Sequence, residues 1–274
     1  MDVIVIGAGA AGLMTAYQAG KMGHRVTVLE QNEKAGKKIY ITGKGRCNFT
    51  TGVEPPAFYE GVLSNPKFLY SSVSAFSGKD TVALFEELGM KSKKERGERY
   101  FPISDHASDV TKALVRACGN VGVTFLYHEK VMKILETNGT VKGVETNGQT
   151  YYGDKVVVAT GGKSYPSCGS TGDGYSFAKA LGHKVIHPLP ALTALKVEEP
   201  DGKEMPGLSL KNIEVTVWEE GKKKPLYQNF GEMLFTHEGV SGPVILSVSG
   251  RISRKLWDRK SITLDLDLKP NRTV

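Results

Sequence analysis

Gly7, Gly9 and Gly12 stand in Gly-x-Gly-x-x-Gly spacing between two apolar runs, and one acid, Glu30, closes the second run. That set is built to grip a dinucleotide. Gly7 lets the chain turn sharply off a strand, Gly9 lets a pyrophosphate approach the backbone, and Gly12 lets a helix pack on the strand. A helix starting there presents free N–H groups and a partial positive charge to phosphates. The Glu30 carboxylate can accept hydrogen bonds from a ribose diol, and its charge argues against the 2′-phosphate of NADP in this site. Taken alone, the motif leaves FAD and NAD both open.

A second candidate is the run Thr42-Gly43-Lys44-Gly45-Arg46-Cys47-Asn48. Its glycines, Gly45 included, can turn backbone N–H groups into an anion-binding concavity. Lys44 and Arg46 would add charge beside a pyrophosphate, and Asn48 would hydrogen-bond a ribityl chain or a flavin edge. The plain alternative is a basic surface loop, with Cys47 a small buried side chain. Asp173, in Gly169-Ser170-Thr171-Gly172-Asp173-Gly174, sits where a helix N-cap belongs and could also hydrogen-bond the cofactor. His237 and Glu238 offer acid–base chemistry, against the reading of a Gly-Pro turn with a surface histidine. His24, His128, His183 and His187 lack metal-ligand spacing, and no Ser-His-Asp order emerges. No metal site and no catalytic residue are assigned.

Composition bounds the partners. The chain has 274 residues, enough for a main domain and a smaller second one, and no apolar stretch long enough to span a membrane. It enters a strand at once, without the pattern of a secretory leader, which points to the cytoplasm. Cys47, Cys118 and Cys168 form no Cys-x-x-Cys pair, which argues against a disulfide framework and a zinc site. The net charge of +7 is that of solvated lysines or of an anionic partner; Lys222-Lys223-Lys224 keeps RNA in view, but dispersed lysines argue against a nucleic-acid partner.

These residues must be held by regular elements. Val3–Ile6 and Val26–Glu30 read as buried strands flanking a helix. Short helices are expected near Lys67–Ala75 and at Asp80–Leu88, and a solvated hairpin or loop at Lys91–Arg99. Pro102 argues against a central strand at Arg99–Ser104. An amphipathic helix at Ser108–Cys118 follows. Val123–Tyr127, Val131–Leu135, Val141–Glu145 and Gln149–Tyr152 read as an antiparallel meander, with type I′ turns at Asn138-Gly139 and Asn147-Gly148. Lys155–Ala159 is a buried strand that stops at Thr160-Gly161-Gly162. A helix at Tyr175–Leu181 precedes a β-rich stretch from Ala191, with strands at Ile213–Trp218, Pro225–Phe230, Glu232–Phe235, Val244–Val248 and Ser261–Leu268. The expected domains are 1–190, Rossmann-like, and 191–274, β-rich and barrel-like. Plain NAD dehydrogenases have no meander before the Ala-Thr-Gly-Gly strand, and glutathione-reductase-like FAD folds do, so the order selects FAD.

With these motifs in place, the chain resembles the BaiN/RdsA-like NAD(P)/FAD-dependent oxidoreductases, also labelled aminoacetone oxidase family FAD-binding enzymes. The matching residues are Gly7–Gly12, Thr42–Asn48, Ala159–Pro166, Gly169–Tyr175, Gly182-His183, Pro190–Leu192 and Thr236–Pro243. The resemblance implies an α/β architecture: a Rossmann-like FAD domain with a β-meander, a β-barrel-like insert and a helical insert, after which the chain returns to the FAD domain. This sequence stops at Asn271–Val274, still in the inserts, so the return segment and most of the helical insert are expected to be missing and FAD binding weak. Strongly yellow protein after desalting would contradict that. The resemblance implies FAD contacts from Gly9, Ala10, Ala11, Glu30, Lys37, Lys38, Arg46, Cys47, Asn48, Val131, Thr160, Gly161 and Asp173. Gly7, Gly12, Gln31 and Gly45, beside these in the same motifs, complete the candidate set.

The activity implied is that of an FAD-dependent oxidoreductase, with NAD(P)H as transient electron donor and a small organic substrate such as a conjugated enone. The second family label implies amine or aminoketone oxidation. An RNA-modifying flavoprotein and a non-catalytic flavin-binding protein are the rival readings. No second Gly-x-Gly-x-x-Gly unit supports a dedicated NAD(P) domain.

Overall fold

Val3-Ile4-Val5-Ile6 is apolar at every position because both faces of its strand are covered. In the computed structural model, which describes residues 1–199 and 205–270, Val3 and Val5 face one core and Ile4 and Ile6 another. The sequence expectations that fall on residues 271–274 lie outside the described residues. The chain divides into two units, Met1–Val185 and Ile186–Val274.

The first unit contains, in order, β1 (Asp2–Ile6), α1 (Ala10–Lys21), β2 (Arg25–Glu30), β3 (Thr50–Thr51), α2 (Ala57–Glu60), α3 (Tyr70–Ala75), α4 (Gly78–Glu87), β4 (Ser92–Glu95), β5 (Arg99–Pro102), α5 (Ala107–Asn120), β6 (Thr124–Tyr127), β7 (Val131–Thr137), β8 (Thr140–Thr146), β9 (Thr150–Tyr152), β10 (Lys155–Val158) and α6 (Asp173–Ala180). A parallel sheet runs β10-β1-β2-β6. Leu13, Ala16 and Tyr17 of α1 and Val110, Leu114 and Cys118 of α5 pack on the face carrying Val3, Val5, Val26 and Val28. Ile4, Ile6 and Leu29 turn the other way, toward Val131, Ile134 and Val144 of the meander and Phe177 of α6. This is the Rossmann-type layering that the opening motif called for.

The meander is three strands, β7-β8-β9, and Val123–Tyr127 is not part of it. β6 instead pairs in parallel with β2, from Thr27 opposite Thr124 to Glu30 opposite Tyr127. The crossover through α5 delivers it there, as a parallel neighbour requires. The bonds His128 N–H to Asn32 O and Glu129 N–H to Glu30 O carry the ladder past the strand end. The Lys91–Arg99 charge run is a hairpin, β4 and β5, with β3 added on the far side. β5 is the middle strand although it ends in Pro102. The proline is accommodated because β3 pairs only with Arg99 and Tyr100, leaving Pro102 paired on one side alone.

The second unit contains β11 (Leu195–Lys196), β12 (Ser209–Glu219), β13 (Tyr227–Thr236), β14 (Gly239–Ser241), α7 (Pro243–Trp257) and β15 (Ile262–Asp267). Its antiparallel sheet runs β11-β14-β13-β12-β15. Ile213, Val215 and Val217 alternate into the core under α7. The expected strand Val244–Val248 is the first part of that helix. Gly242 at the N-cap and Pro243 in the first turn start it, and the buried positions Val244, Ile245, Val248, Ser249 and Ile252 have helical spacing. Pro225–Phe230 and Glu232–Phe235 merge into one strand, β13. No helix among the described residues is long and apolar enough to cross a membrane.

Candidate cofactor site

The glycines differ in what surrounds them. A Cβ on Gly7 would stand 2.7 Å from the Ala159 carbonyl oxygen, and one on Gly12 would stand 1.9 Å from the Gly7 carbonyl oxygen. Both positions are closed by the packing of α1 against β1 and β10. A Cβ on Gly9 would meet nothing within 4 Å. That open volume lies before the first turn of α1, which has no side-chain cap and no acid. Its N–H groups therefore remain available to an anion, which is the geometry that receives a pyrophosphate.

Glu30 is buried at the end of β2. Its Oε2 accepts from Ala8 N–H at 2.8 Å, and Oε1 accepts from the Asn32 backbone N–H at 2.9 Å and from Asn32 Nδ2 at 2.6 Å. The carboxylate thus ties the glycine loop to β2. A carboxylate has about four lone-pair sites; with three taken, one is left over. Gln31 and Asn32 reach across to the Gly169 and Cys168 carbonyls at 2.8 and 3.3 Å. They fix the loop that follows β10.

A cavity of about 840 Å³ opens over these groups. Its size lies toward the upper end of the roughly 300–1,000 Å³ usual for small-molecule sites. Every candidate except Gly12, Gly45 and Arg46 lines it. Lys37 and Lys38 bring positive charge; Lys37 Nζ lies 3.2 Å from Glu33, and Lys38 Nζ donates to Ser164 Oγ at 2.6 Å. Thr160 Oγ1 accepts from Gly174 N–H at 3.1 Å, joining the end of β10 to the start of α6. Asp173 is the first residue of α6 rather than its cap. Gly172 holds the cap position at φ +90°, a left-handed conformation suited to glycine, which leaves the Asp173 carboxylate free to line the cavity.

The Thr42–Asn48 run is a kinked turn with left-handed backbone at Gly43, Lys44, Gly45 and Cys47. It does not gather all its N–H groups toward an anion: Arg46 and Cys47 donate inward, to Gly43 O at 3.2 Å and Thr42 O at 3.0 Å. Arg46 turns away from the cavity. It is paired with Glu95 and lies 2.7 Å from Asp105, with its guanidinium 4.3 Å from the centre of the Phe101 ring. Lys93 Nζ reaches Asp105 at 2.6 Å. Arg46 therefore braces the turn, while its neighbours Cys47 and Asn48 face the cavity. Burial pushes the Cys47 thiol above its ordinary range, against a smaller opposite effect from Thr42. Asn48 turns its side-chain amide toward the Thr50 and Tyr100 carbonyls; with the nitrogen assigned to that side, as two acceptors require, it donates to them at 2.9 and 3.2 Å and is held to β3 and β5.

Asn32, Phe49, Phe85 and Glu129 also line the cavity and escaped the sequence reading. Asn32 follows Glu30 by two residues and Glu129 precedes Val131 by two, so proximity to a motif residue was the available signal. His237 and Glu238 form the tip between β13 and β14 in the second unit; His237 is exposed, and Glu238 lies 2.6 Å from Lys196. No cluster of three or more metal-ligating side chains occurs among the described residues.

A ribosomal RNA dihydrouridine synthase of Haemophilus influenzae is 33% identical over 99% of this chain and 65% of its own length. A 3-dehydro-bile acid delta(4,6)-reductase of Clostridium scindens is 32% identical over 97% of this chain and 64% of its own. The chain thus spans just under two thirds of these relatives. The open conformation of a flavocytochrome c3 fumarate reductase superposes with a TM-score of 0.57 at 21% identity, over 77% of this chain and 47% of that one, which is a likeness of fold. The model of the HI0933-like protein Rossmann domain matches residues 1–246, and the chain belongs to that family.

Proposed function

We propose that the cavity of the first unit holds FAD and that the protein is a flavin-dependent reductase of a carbon–carbon double bond conjugated to a carbonyl, with NAD(P)H as electron donor. The observation that carries this is the empty volume at Gly9, set between the uncapped start of α1 and a buried Glu30 with one lone pair to spare. In this reading Gly9, Ala10 and Ala11 take the pyrophosphate with Lys37 and Lys38 beside it, and Glu30 takes the ribose of the adenosine. Cys47, Asn48, Thr160, Gly161 and Asp173 lie toward the flavin, and Val131 toward the adenine. Bound there, the flavin supplies two-electron chemistry between a donor and an organic acceptor. The chain binds and orients it, and the apolar walls exclude water. Residues 1–190 form the cofactor domain and the β-rich stretch from 191 an insert.

One reaction class covers both curated relatives. Dihydrouridine is uridine with its carbonyl-conjugated ring double bond saturated, and a delta(4,6)-reductase of a 3-dehydro-bile acid saturates double bonds in conjugation with the 3-keto group. The acceptor proposed here is a small enone. A uracil ring in RNA is the second reading, favoured by the net charge of +7 and the Lys222–Lys224 run. The test is anaerobic mixing of the FAD-loaded protein with NADH or NADPH, followed by a 4-en-3-one steroid or by uridine-containing ribosomal RNA. Bleaching of the flavin by a nicotinamide and its return on adding one acceptor are expected. A loaded protein that neither donor bleaches refutes the reductase. Return with RNA alone, lost on modest addition of salt, moves the assignment to the RNA reading.

A further inference from the structure

Lys222, Lys223 and Lys224 lie at the tip between β12 and β13, far in sequence from the basic end of α7 and the turn after it. The fold of the second unit brings the two groups together, and Glu219 marks the meeting point. Its carboxylate pairs with Lys255 of α7 at 2.6 Å. Lys255 first, then the charges of Lys222 and Lys260, hold that carboxyl below its ordinary range. From Lys255 the cations continue along the helix. Arg251 stands four residues before Lys255, and Arg251, Arg254 and Trp257 follow at three-residue spacing, which makes them neighbours on one helical face. Among the described residues, Lys222, Lys223, Lys224, Arg254, Arg259 and Lys260 form no ion pair. Cations suit the C-terminal end of a helix dipole, but that accounts for the end of α7 and not for the lysines of the hairpin tip.

Exposed apolar groups lie against these cations. Trp257 is 55% exposed and stacks on His187, with ring centres 4.4 Å apart. Leu256 is 44% exposed, and Ile186, next to His187, is 64% exposed. The chain from Ile186 follows the flank of α7, where Thr193 N–H donates to Ser249 Oγ at 3.0 Å and Leu192 is 73% exposed. The far side of the sheet has the opposite charge. Ile213, Val215, Met233, Leu264 and Leu266 pack in the core under α7, so Glu214, Glu232, Asp265 and Asp267, at the alternate positions of the same strands, face away from it. The unit is polarised, basic and apolar on one side and acidic on the other.

We propose that the α7 side of the second unit docks on an anionic lipid surface, with Trp257, Leu256 and Ile186 at the boundary of headgroups and acyl chains and the lysines and arginines on lipid phosphates. The aliphatic side chains decide between a bilayer and RNA. Bases stack on open ring faces. Here Trp257 gives one face to His187, and Tyr227 gives one to Arg251, 4.1 Å from the ring centre. Leu256, Ile186 and Leu192 offer a base no stacking, yet they suit acyl chains. The acidic side of the sheet is repelled by such a surface, which orients the unit on it. The inference goes beyond the FAD reading and does not depend on it.

The test is flotation of the full chain with vesicles of phosphatidylcholine alone and of phosphatidylcholine mixed with phosphatidylserine, at low and raised salt. Tryptophan emission is followed alongside, and circular dichroism checks the fold. Wild type is expected to float only with the phosphatidylserine vesicles, with blue-shifted emission, and to be released by salt. Joint reversal of the tip by Lys222→Glu, Lys223→Glu and Lys224→Glu should weaken binding about a hundredfold. Trp257→Ala should weaken it at least about tenfold, the scale of one large apolar side chain, and abolish the blue shift. A folded wild-type chain that ignores the phosphatidylserine vesicles at low salt overturns the proposal, as does equal binding by wild type and both variants. Binding of a uridine-rich single-stranded RNA without binding of vesicles also overturns it and gives this face to RNA. FAD binding, read separately by fluorescence titration, is untouched by any of these results.

Discussion

Alanine at Gly12 and alanine at Gly9 should have opposite effects on folding and on cofactor binding. At Gly12 the added Cβ would stand 1.9 Å from the Gly7 carbonyl oxygen and 3.0 Å from its carbon. Both contacts are backbone, so no rotamer relieves them. Alanine is better than glycine inside a helix by about 1 kcal/mol, and overpacking costs about 1–3 kcal/mol or more. A contact this short puts the penalty at the top of that range, for a net loss of about 2 kcal/mol, or roughly 4–8 °C in Tm for a unit of this size. At Gly9 the backbone lies at φ −77°, ψ −173°, which alanine adopts freely, and the Cβ meets nothing within 4 Å. Reduced freedom of the unfolded chain favours alanine there, a weaker N-cap disfavours it, and the two nearly cancel at under about 1 kcal/mol each. The methyl group nevertheless occupies the space before α1 into which the pyrophosphate must come. FAD affinity should drop at least about tenfold, equivalent to roughly 1.4 kcal/mol. Urea unfolding of the cofactor-free protein reads the first effect and fluorescence titration with FAD the second. Wild-type FAD affinity in Gly9→Ala, or equal destabilisation by both substitutions, refutes the placement of the pyrophosphate.

Other positions give further tests. Glu30→Gln replaces one acceptor oxygen with a donor facing either Ala8 N–H or Asn32, so it should destabilise by about 1–3 kcal/mol in urea unfolding. A neutral effect would mean that the carboxylate does not hold the glycine loop. Lys93 and then Arg46 hold Asp105 below the ordinary carboxylate range, and Arg46 does the same for Glu95. Lowered folded values mean that this stabilisation is present above about pH 4, where the unfolded carboxylates are ionised, and is lost as pH falls through the folded values. Urea midpoints below about pH 4 should therefore fall less steeply in Arg46→Ala than in wild type; equal slopes would deny the ion pairs a role. Burial pushes the Cys118 thiol up to about 11 and raises Cys47 as well, while Cys168 is half-buried. Iodoacetamide should label Cys168 first and Cys118 last, by peptide mass spectrometry, with all three labelled together after unfolding. Early labelling of Cys118 would contradict its packing against α1.

The opening strand, helix and strand were legible because their signals are local. Gly7, Gly9 and Gly12, the all-apolar Val3–Ile6 and the terminal Glu30 each act within a few residues of one another, where turn chemistry and periodicity decide the structure. The same holds for the Asn138-Gly139 turn of the meander, where both residues are left-handed as type I′ requires; Asn147-Gly148 turns the chain without positive φ at either residue and is not type I′. Val244–Val248 was less legible, since a short apolar run fits a strand or a buried helix equally until Pro243 and the residues through Trp257 are read with it. Tertiary structure alone decided the partner of β6 and the direction of Arg46. Each depends on groups far away in the chain: β2 for β6, Glu95 and Asp105 for Arg46. By its spacing, the sequence determined a strand–turn–helix–strand unit with an open glycine turn at Gly9 and a buried acid at Glu30. Which side chains close around it was set by long-range packing, because a side chain takes its direction from the partners that folding brings to it.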